Sequence, residues 1–298
     1  MDKAGKGRQG RATATLVASA LSNQLGAASG SMAFPAVGPV GVVAVRQLVA
    51  AAVLLPLVRP RVRDFTLSQW WPILLLALVF GTMNLSLYAA IEQIGLGLAV
   101  TLEFLGPLAV ALATTRSKGS MFCAAIAGAG VVAITQPEAS TDYAGIGLAL
   151  IAASSWAAYI LLNRTVGNRI PGVQGTATAT GVSAALFLPI GLTIFITQRP
   201  DAATVLCAVA AGLLASVVPY IADLIALRSV PAHIFGVLMS INPVFAAAIG
   251  AIALNEELGA VEWAGIILIV GANAFALRLR RWSGSRDQAD KQHLQAGL

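Results

Sequence analysis

The stretch PILLLALVFGTMNLSLYAAIE, residues 72–92, is an apolar run whose only charged residue is the last one, Glu92. About 20 such residues, coiled as a helix, cross the roughly 30 Å hydrocarbon core of a bilayer. Similar runs follow on both sides of it along nearly the whole chain of 298 residues. Hydrophobic residues make up 57% of the chain and charged residues 11%, whereas a soluble domain spends about a quarter of its residues on charge. The sequence therefore predicts an all-α integral membrane protein.

Ten transmembrane helices account for these runs. Breaks at Pro35, Pro60 and Pro137 help to separate them, because proline ends or kinks a helix. The predicted spans are residues 12–33, 39–58, 72–92, 95–115, 119–136, 144–163, 174–197, 203–228, 232–254 and 260–279. Residues 1–11 and 280–298 remain as tails, and the even number of spans places both tails on the same side of the membrane.

Positive charge is distributed unevenly about these spans. Of the 19 Lys and Arg residues, all except Arg46, inside the second span, and Arg199 fall in the two tails or in loops on the same side. Cytoplasmic loops carry the excess of Lys and Arg in membrane proteins, so both termini are predicted to be cytoplasmic. The net charge of +6 then needs no nucleic-acid partner, because a basic cytoplasmic face meets the lipid headgroups of the bilayer.

The chain also aligns with itself. A shift that places residues 90–94 (AIEQI) on residues 226–230 (ALRSV) also places Pro107 on Pro243. Each half then has five spans, an odd number, so the second half enters the membrane in the opposite orientation, as in many secondary transporters. The alternative is a chance match between helices of similar Ala/Leu/Val-rich composition.

Three prolines, Pro107, Pro219 and Pro243, fall inside predicted spans. Each interrupts a helix, frees a carbonyl group and permits a kink. They are therefore hinge candidates for a change between two conformations. The alternative is that they only shape the packing of the helices.

Arg46, Glu103 and Asp223 are charged residues inside predicted spans, where each costs roughly 2.5–3.5 kcal/mol on insertion scales. At a rise of about 1.5 Å per residue, Arg46, Glu103 and Asn84 lie at a similar depth in their helices. A guanidinium and a carboxylate at one level either pair with each other or bind the carboxylate and the ammonium group of a zwitterion. Glu103 is also a candidate proton acceptor.

Two further polar residues admit two interpretations each. Asp223 lies near Arg228 and His233 in the sequence, which favours an ion pair at the cytoplasmic interface over a contact with a substrate. Asn242 either lines a cavity or caps the helix that Pro243 interrupts.

Spans 6 and 1 carry polar or small residues at helical spacing. Trp156 and Tyr159 form a polar aromatic stripe, which is typical both of cavity lining and of helix packing. Gly26 and Gly30 have the GxxxG spacing that favours close packing of two helices. Glu256 and Glu257 fall in an external turn and are expected to be solvated.

Catalytic and metal-binding chemistry finds little support in the sequence. Cys123 and Cys207 both lie inside apolar runs, so they are interpreted as small buried side chains and not as a disulfide or a metal pair. The histidines, His233 and His293, lie near the cytoplasmic edge and in the C-terminal tail, which leaves no His-based dyad within the bilayer. We therefore expect neither an enzyme nor a cofactor.

Several short motifs, of which LEFLGPLAVA at residues 102–111 is the most specific, extend over most of the chain. The others are Phe34-Pro35, Val37-Gly38, Gly41-Val42 with Arg46, Met83-Asn84 with Tyr88 and Ile91, Trp156, Tyr159-Ile160, Pro219-Tyr220, Ala226-Leu227, Phe235-Gly236, Leu238-Met239-Ser240 and Pro243. In these motifs the chain resembles the EamA-type members of the drug/metabolite transporter superfamily, and among them the bacterial inner-membrane exporters of threonine and homoserine.

The resemblance implies two inverted EamA-like repeats of five helices, residues 12–136 and 144–279, around a central cavity in the bacterial inner membrane. It also implies proton-driven efflux of amino acids or similar small metabolites. Such exporters tend to carry a glutamate where this chain has Asn242, and another in the eighth helix, where it has Asp223. These departures affect the expected substrate more than the expected fold.

The expected function is export of a small amino acid by alternating access. Arg46, Asn84, Tyr88 and Glu103 are expected to face the cavity, and the expected partners are the substrate, protons and the lipid bilayer. A carrier of the same fold with another cargo, such as a drug or a purine, is the alternative.

Overall fold

A computed structural model describes residues 3–113, 122, 125–127, 129–130, 142–170, 173–219, 222, 241–272 and 275, which are helical almost throughout. The α-helices are α1 (Lys3–Ser31), α2 (Phe34–Val58), α3 (Leu67–Glu103), α4 (Leu105–Ala113), α5 (Tyr143–Arg169), α6 (Gln174–Gln198), α7 (Ala202–Gly212), α8 (Asn242–Ala253) and α9 (Ala260–Ala272). A 3-10 turn (Val62–Asp64) follows α2, and a π-helical segment (Leu213–Val217) continues α7. The predicted all-helical class is confirmed for these residues.

Four helical stretches within the described residues are long and apolar enough to cross a membrane. They are α2, α5, α6 and the stretch Leu67–Val110, which combines α3 with most of α4. Three shorter helices, Ala202–Val217, Asn242–Ala253 and Ala260–Ala272, are also apolar. Most of the predicted span 119–136 and the adjoining ends of spans 203–228 and 232–254 lie outside the described residues. The helices fit a multi-pass membrane protein, and the number of ten stays a prediction.

α3 combines two predicted spans in one bent helix. Its 37 residues, at about 1.5 Å each, exceed the roughly 30 Å of a single crossing. Gly95 interrupts it with φ 79° and ψ 165°, a conformation that glycine adopts because it has no Cβ atom. The chain therefore turns at Gly95, between the predicted spans 72–92 and 95–115.

Glu256 holds this bend from the other half of the chain. Its carboxylate accepts from the backbone N–H groups of Leu96 (2.6 Å) and Gly97 (3.3 Å), which begin the helix after the bend. A carboxylate at a helix N-terminus satisfies free N–H groups and interacts favourably with the helix dipole. The expectation that Glu256 is solvated was therefore wrong, because its partners lie 160 residues away in the sequence. Glu257 is exposed, as expected.

Replacing Glu256 with glutamine is expected to lower the free energy of unfolding by about 1–2 kcal/mol, because two charge-assisted hydrogen bonds at a helix N-terminus become weaker. Thermal unfolding of the purified protein in detergent measures the change. The matched control is Glu257→Gln, which removes the same charge from the neighbouring exposed position. Equal effects of the two substitutions would show that the capping contact contributes nothing.

The ends of several helices follow from local sequence. Asp142 caps α5 by accepting from Ala144 N and Gly145 N, both at 3.0 Å. Asp201 caps α7 by accepting from Thr204 N at 2.9 Å. Hydrogen bonds from the Thr204 side chain and, to a smaller extent, from its backbone N–H lower the pKa of the Asp201 carboxyl. Aspartate is among the preferred N-cap residues because its side chain reaches the free N–H groups of the first turn.

α2 and α6 pack against each other and end in the same way. Each contains 25 residues and stops at an arginine in the left-handed conformation, Arg59 (φ 48°) and Arg199 (φ 47°). Each arginine precedes a proline, which cannot continue the helix. α3 packs most extensively against α5, and α1 against α7, the π-helical segment and α8. The two predicted halves therefore share a broad interface.

Gly26 and Gly30 lie where α1 approaches its neighbours most closely. A Cβ atom on Gly26 would lie 2.5 Å from the backbone nitrogen of Ala215, and one on Gly30 would lie 2.7 Å from Cε1 of Tyr88. The interpretation of the GxxxG spacing as close helix packing is therefore confirmed, with the π-helical segment and α3 as the neighbours.

Replacing Gly26 with alanine is expected to lower the free energy of unfolding by about 1–3 kcal/mol, because the added methyl group would overlap backbone atoms of the π-helical segment. The matched control is Gly147→Ala in α5, where a Cβ atom meets nothing within 4 Å. The control is expected to be neutral or slightly stabilising, since alanine favours helix more than glycine does. Comparison of the two unfolding temperatures tests the prediction, which fails if Gly26→Ala is as stable as the control.

Candidate functional site

Tyr88 lies at the centre of the buried region that α1, α2 and α3 share. Its side chain is fully buried, and its ring packs edge-on against Phe34 with 5.9 Å between the ring centroids. Its hydroxyl group makes no hydrogen bond of good geometry within the described part of the chain. Asn84 lies one turn earlier on α3, is also buried, and donates to the Phe80 carbonyl oxygen of its own helix at 2.7 Å.

Arg46 on α2 connects this region to the second half of the chain. Its Nε donates to Ser216 Oγ at 2.8 Å, and its Nη2 donates to the Ala215 carbonyl oxygen at 2.7 Å. The guanidinium carbon lies 5.3 Å from the centroid of the Tyr88 ring, within cation–π range. A guanidinium has five N–H groups, and the hydrogen bonds of good geometry within the described part of the chain use two of them.

Pro219 explains why the π-helical segment can accept these bonds. Proline has no N–H group, so in an α-helical pattern residue 219 cannot donate to the Ala215 carbonyl, and in a π-helical pattern it cannot donate to the Leu214 carbonyl. Val218 N donates to Leu213 instead. The two carbonyl groups accept from side chains of the first half: Ser22 Oγ donates to Leu214 O at 2.8 Å, and Arg46 donates to Ala215 O.

Glu103, at the end of α3, is 6% exposed. It is close enough to Arg46 and to Tyr88 for its charge to act on both groups. Arg46 and Glu103 make no direct ion pair, because the guanidinium is turned toward Ser216 and Ala215. The structural ion pair that the sequence left open is therefore absent. A buried carboxylate beside a guanidinium is an arrangement able to hold a zwitterion.

Trp156 and Tyr159 lie in different clusters, although they are close in the sequence. Trp156 packs edge-on against Phe104, the neighbour of Glu103, with 4.6 Å between the centroids. Tyr159 contacts Phe80, with 5.4 Å between the centroids, in a separate cluster of α3, α5 and α6. The structure therefore places Trp156 beside the Arg46–Glu103 region and Tyr159 apart from it.

Asn242 begins α8 and bonds across the two halves. Its Oδ1 accepts from Gln24 Nε2 of α1 at 3.0 Å, and both side chains are buried. Pro243 occupies the first turn of α8, where its missing N–H group costs no helical bond. Asp223 lies outside the described residues.

Pro107 occupies the first turn of α4, directly after the break at Phe104. It cannot donate to the Glu103 carbonyl, which explains why the predicted span 95–115 is divided there. Pro107, Pro219 and Pro243 therefore lie at helix starts or beside an irregular helix, and their role as hinges stays a prediction.

Sequence reasoning missed Gln24, Ser22 and Ser216. Gln24 and Ser22 stand in an apolar span, and a buried amide or hydroxyl group there is itself a signal, because it requires a partner inside the bilayer. Ser216 had no such signal. Its role depends on the irregular backbone around it and on a partner 170 residues away.

Apolar helices of spanning length, with polar side chains buried between them, define a helical membrane protein of the transporter class. One crystal structure superposes on the chain with a TM-score of 0.61 at 20% identity, covering 90% of this chain and 99% of that chain, a likeness of fold alone. Residues 143–278 match the EamA-like transporter family.

Named relatives extend the match to both halves of the chain. The threonine/homoserine exporter RhtA of Salmonella typhimurium is 34% identical over 87% of this chain and 88% of its own length, and RhtA of Escherichia coli K12 is 32% identical over the same shares. The uncharacterized transporter YwfM of Bacillus subtilis is 25% identical over 70% of this chain and 74% of its own length. The chain belongs to the EamA-like transporter family of the drug/metabolite transporter superfamily. It is a transporter and not an enzyme.

Proposed function

We propose that this transporter exports small amino acids, of the threonine and homoserine type, from the cytoplasm. The observation that carries the proposal is the partly buried contact of Arg46 with the π-helical segment, together with the buried carboxyl group of Glu103. Burying these charges is expensive, and charged residues within a membrane protein commonly mark a substrate or ion pathway. The two relatives named as threonine/homoserine exporters support the choice of substrate.

A zwitterionic amino acid fits the charges that the structure brings together. The N–H groups of Arg46 would bind the substrate carboxylate, and Glu103 would bind its ammonium group. Tyr88 and Trp156 would form apolar walls, and Asn84 and Asn242 would supply neutral polar groups at the edges. Asp223 is retained as a candidate in substrate binding or coupling.

Export by proton antiport and alternating access is the mechanism that we propose. Glu103 would exchange its proton for the substrate ammonium group, so that one carboxylate serves both ligands in turn. Two inverted repeats of five helices, residues 12–136 and 144–279, would move against each other, with Pro107, Pro219 and Pro243 as hinges. The matching ends and mutual packing of α2 and α6 support the repeat.

The orientation in the membrane follows from the charge distribution. Both tails, residues 1–11 and 280–298, would face the cytoplasm, and the protein would lie in the bacterial inner membrane. α1 already begins at Lys3, so the first tail would be a helical extension of the first span.

The direct test is transport by the purified protein in liposomes with an imposed pH gradient. Threonine and homoserine are expected to move in the direction opposite to the proton flow. Cells that overproduce the protein are expected to resist toxic analogues of these amino acids. Unchanged resistance, together with transport of a drug or a purine in liposomes, would replace the amino-acid proposal by the alternative cargo. Liposomes that lack the protein are the control.

A further inference from the structure

Gln24 is an almost fully buried polar side chain between the two halves that the proposed site does not use. It is 1% exposed and lies on α1, facing α8. Its Nε2 donates to Asn242 Oδ1 at 3.0 Å. In this bond the amide nitrogen of Gln24 points toward the Asn242 oxygen, and Oε1 points away from it.

The other end of the same amide has no hydrogen-bond partner among the described residues. Gln24 Oε1 is fully buried and makes no hydrogen bond within the described part of the chain. Buried acceptors in native proteins are almost always bonded, and one without a partner commonly marks a place where a ligand or water binds. Since Oε1 can only accept, the missing group must be a hydrogen-bond donor.

Gln24 lies at the level of Arg46. Ser22 and Gly26, on either side of Gln24, contact Leu214 and Ala215 of the π-helical segment. Ala215 is the residue whose carbonyl accepts from Arg46. Residues 22–26 of α1 therefore pass the segment that bonds to Arg46, and Gln24, two residues from Ser22 and from Gly26, projects from another side of the helix toward Asn242 of α8.

We propose that Gln24 Oε1 accepts a hydrogen bond from the side-chain hydroxyl of the substrate and thereby selects hydroxylated amino acids. This inference rests on the proposed function. Arg46 and Glu103 would bind the carboxylate and the ammonium group, which all amino acids share, so neither distinguishes threonine from an apolar amino acid of the same shape. The hydroxyl is the remaining donor, and Gln24 Oε1 is the buried acceptor left for it.

Transport of threonine and valine by the purified protein in liposomes tests this role. The two amino acids have nearly the same shape and differ by a hydroxyl in place of a methyl group. Wild-type protein is expected to prefer threonine. Gln24→Met keeps the approximate volume but removes the acceptor, together with the Nε2 donor to Asn242, and is expected to reduce the threonine-to-valine ratio at least about tenfold. The valine rate is expected to stay within about twofold. Gln24→Glu keeps an acceptor at the same position and is expected to keep the preference.

Ser22→Ala is the matched control, because it removes a hydrogen bond between the same two halves from the same turn of α1. It is expected to leave the threonine-to-valine ratio unchanged. An unchanged ratio in Gln24→Met, or an equal loss for both amino acids, would overturn the inference and assign Gln24 a structural role. A wild-type protein that transports both amino acids equally would also overturn it. Failure of the wild-type protein to transport any amino acid would instead refute the proposed function.

A second readout does not require transport. A ligand that binds the folded protein raises its unfolding temperature, so threonine is expected to stabilise wild-type protein in detergent more than valine does. Gln24→Met is expected to lose this difference while unfolding cooperatively without ligand. Equal stabilisation of wild-type protein by both amino acids would contradict the proposed hydrogen bond.

Discussion

Replacing Arg46 with alanine is expected to abolish export and to lower thermal stability in detergent. Truncating one member of a hydrogen-bonded charged contact inside a protein costs about 2–5 kcal/mol, which corresponds to a loss of roughly 30-fold to several thousandfold in affinity. Stability falls separately, because the Ala215 carbonyl loses its donor and a buried carbonyl without a partner costs about 1–3 kcal/mol. Liposome transport and thermal unfolding measure the two effects.

The structure offers a variant that separates these effects. In the double variant Arg46→Ala/Pro219→Ala, residue 219 regains an N–H group that can donate to the Ala215 carbonyl. We expect the unfolding temperature to return toward that of the wild-type protein, whereas transport stays absent. Because Pro219 is itself a hinge candidate, the single variant Pro219→Ala is the control for transport. Recovery of transport in the double variant would mean that Arg46 serves only to stabilise the π-helical segment.

Replacing Glu103 with glutamine is expected to stop proton-coupled transport, with a fall of roughly 100-fold or more in pH-driven export. The amide has nearly the same shape as the carboxylate but can neither carry a proton through the cycle nor pair with an ammonium group. A pH-sensitive dye inside the liposomes reports the proton flux, and labelled threonine reports the substrate flux. Both are expected to fall together.

Glu92→Gln is the matched control for Glu103. Glu92 lies on the same helix but is exposed, so its neutralisation is expected to change neither flux. If proton flux persists in Glu103→Gln while threonine export fails, Glu103 binds substrate and another group carries the proton. If export persists in Glu103→Gln, Glu103 has no role in the transport mechanism.

The positions of the helices could be largely predicted from hydropathy, because a spanning helix must be apolar along its whole length. The exact breaks could not. α2 begins at Phe34 and not at residue 39, because Pro35 in the first turn of a helix costs nothing and Gly38 absorbs the turn with φ 63°. In α3 the turn falls on Gly95, which the sequence shows only as one glycine among 29.

The members of the candidate site could be predicted more easily than their partners. Arg46, Tyr88 and Glu103 stand out because charged and polar residues are rare in apolar spans, and the structure places them in one region. The ligands of Arg46 were not predictable, since they lie 169 and 170 residues away on an irregular helix. Hydropathy identifies the polar residues that are costly to place in lipid, whereas only the tertiary structure identifies their hydrogen-bond partners.

The carbonyl groups of Leu214 and Ala215 have a consequence for biogenesis. Because Pro219 cannot donate to either carbonyl, this segment is poorly suited to lipid when it is alone. Ser22 and Arg46, which supply the donors, belong to the part of the chain that the ribosome makes first. When α7 and the π-helical segment enter the bilayer, the donors for these two carbonyl groups are therefore already present in it. The order of synthesis thus lets the first half assist insertion of the second, whereas a second half made alone would lack the two side-chain donors that Ser22 and Arg46 supply.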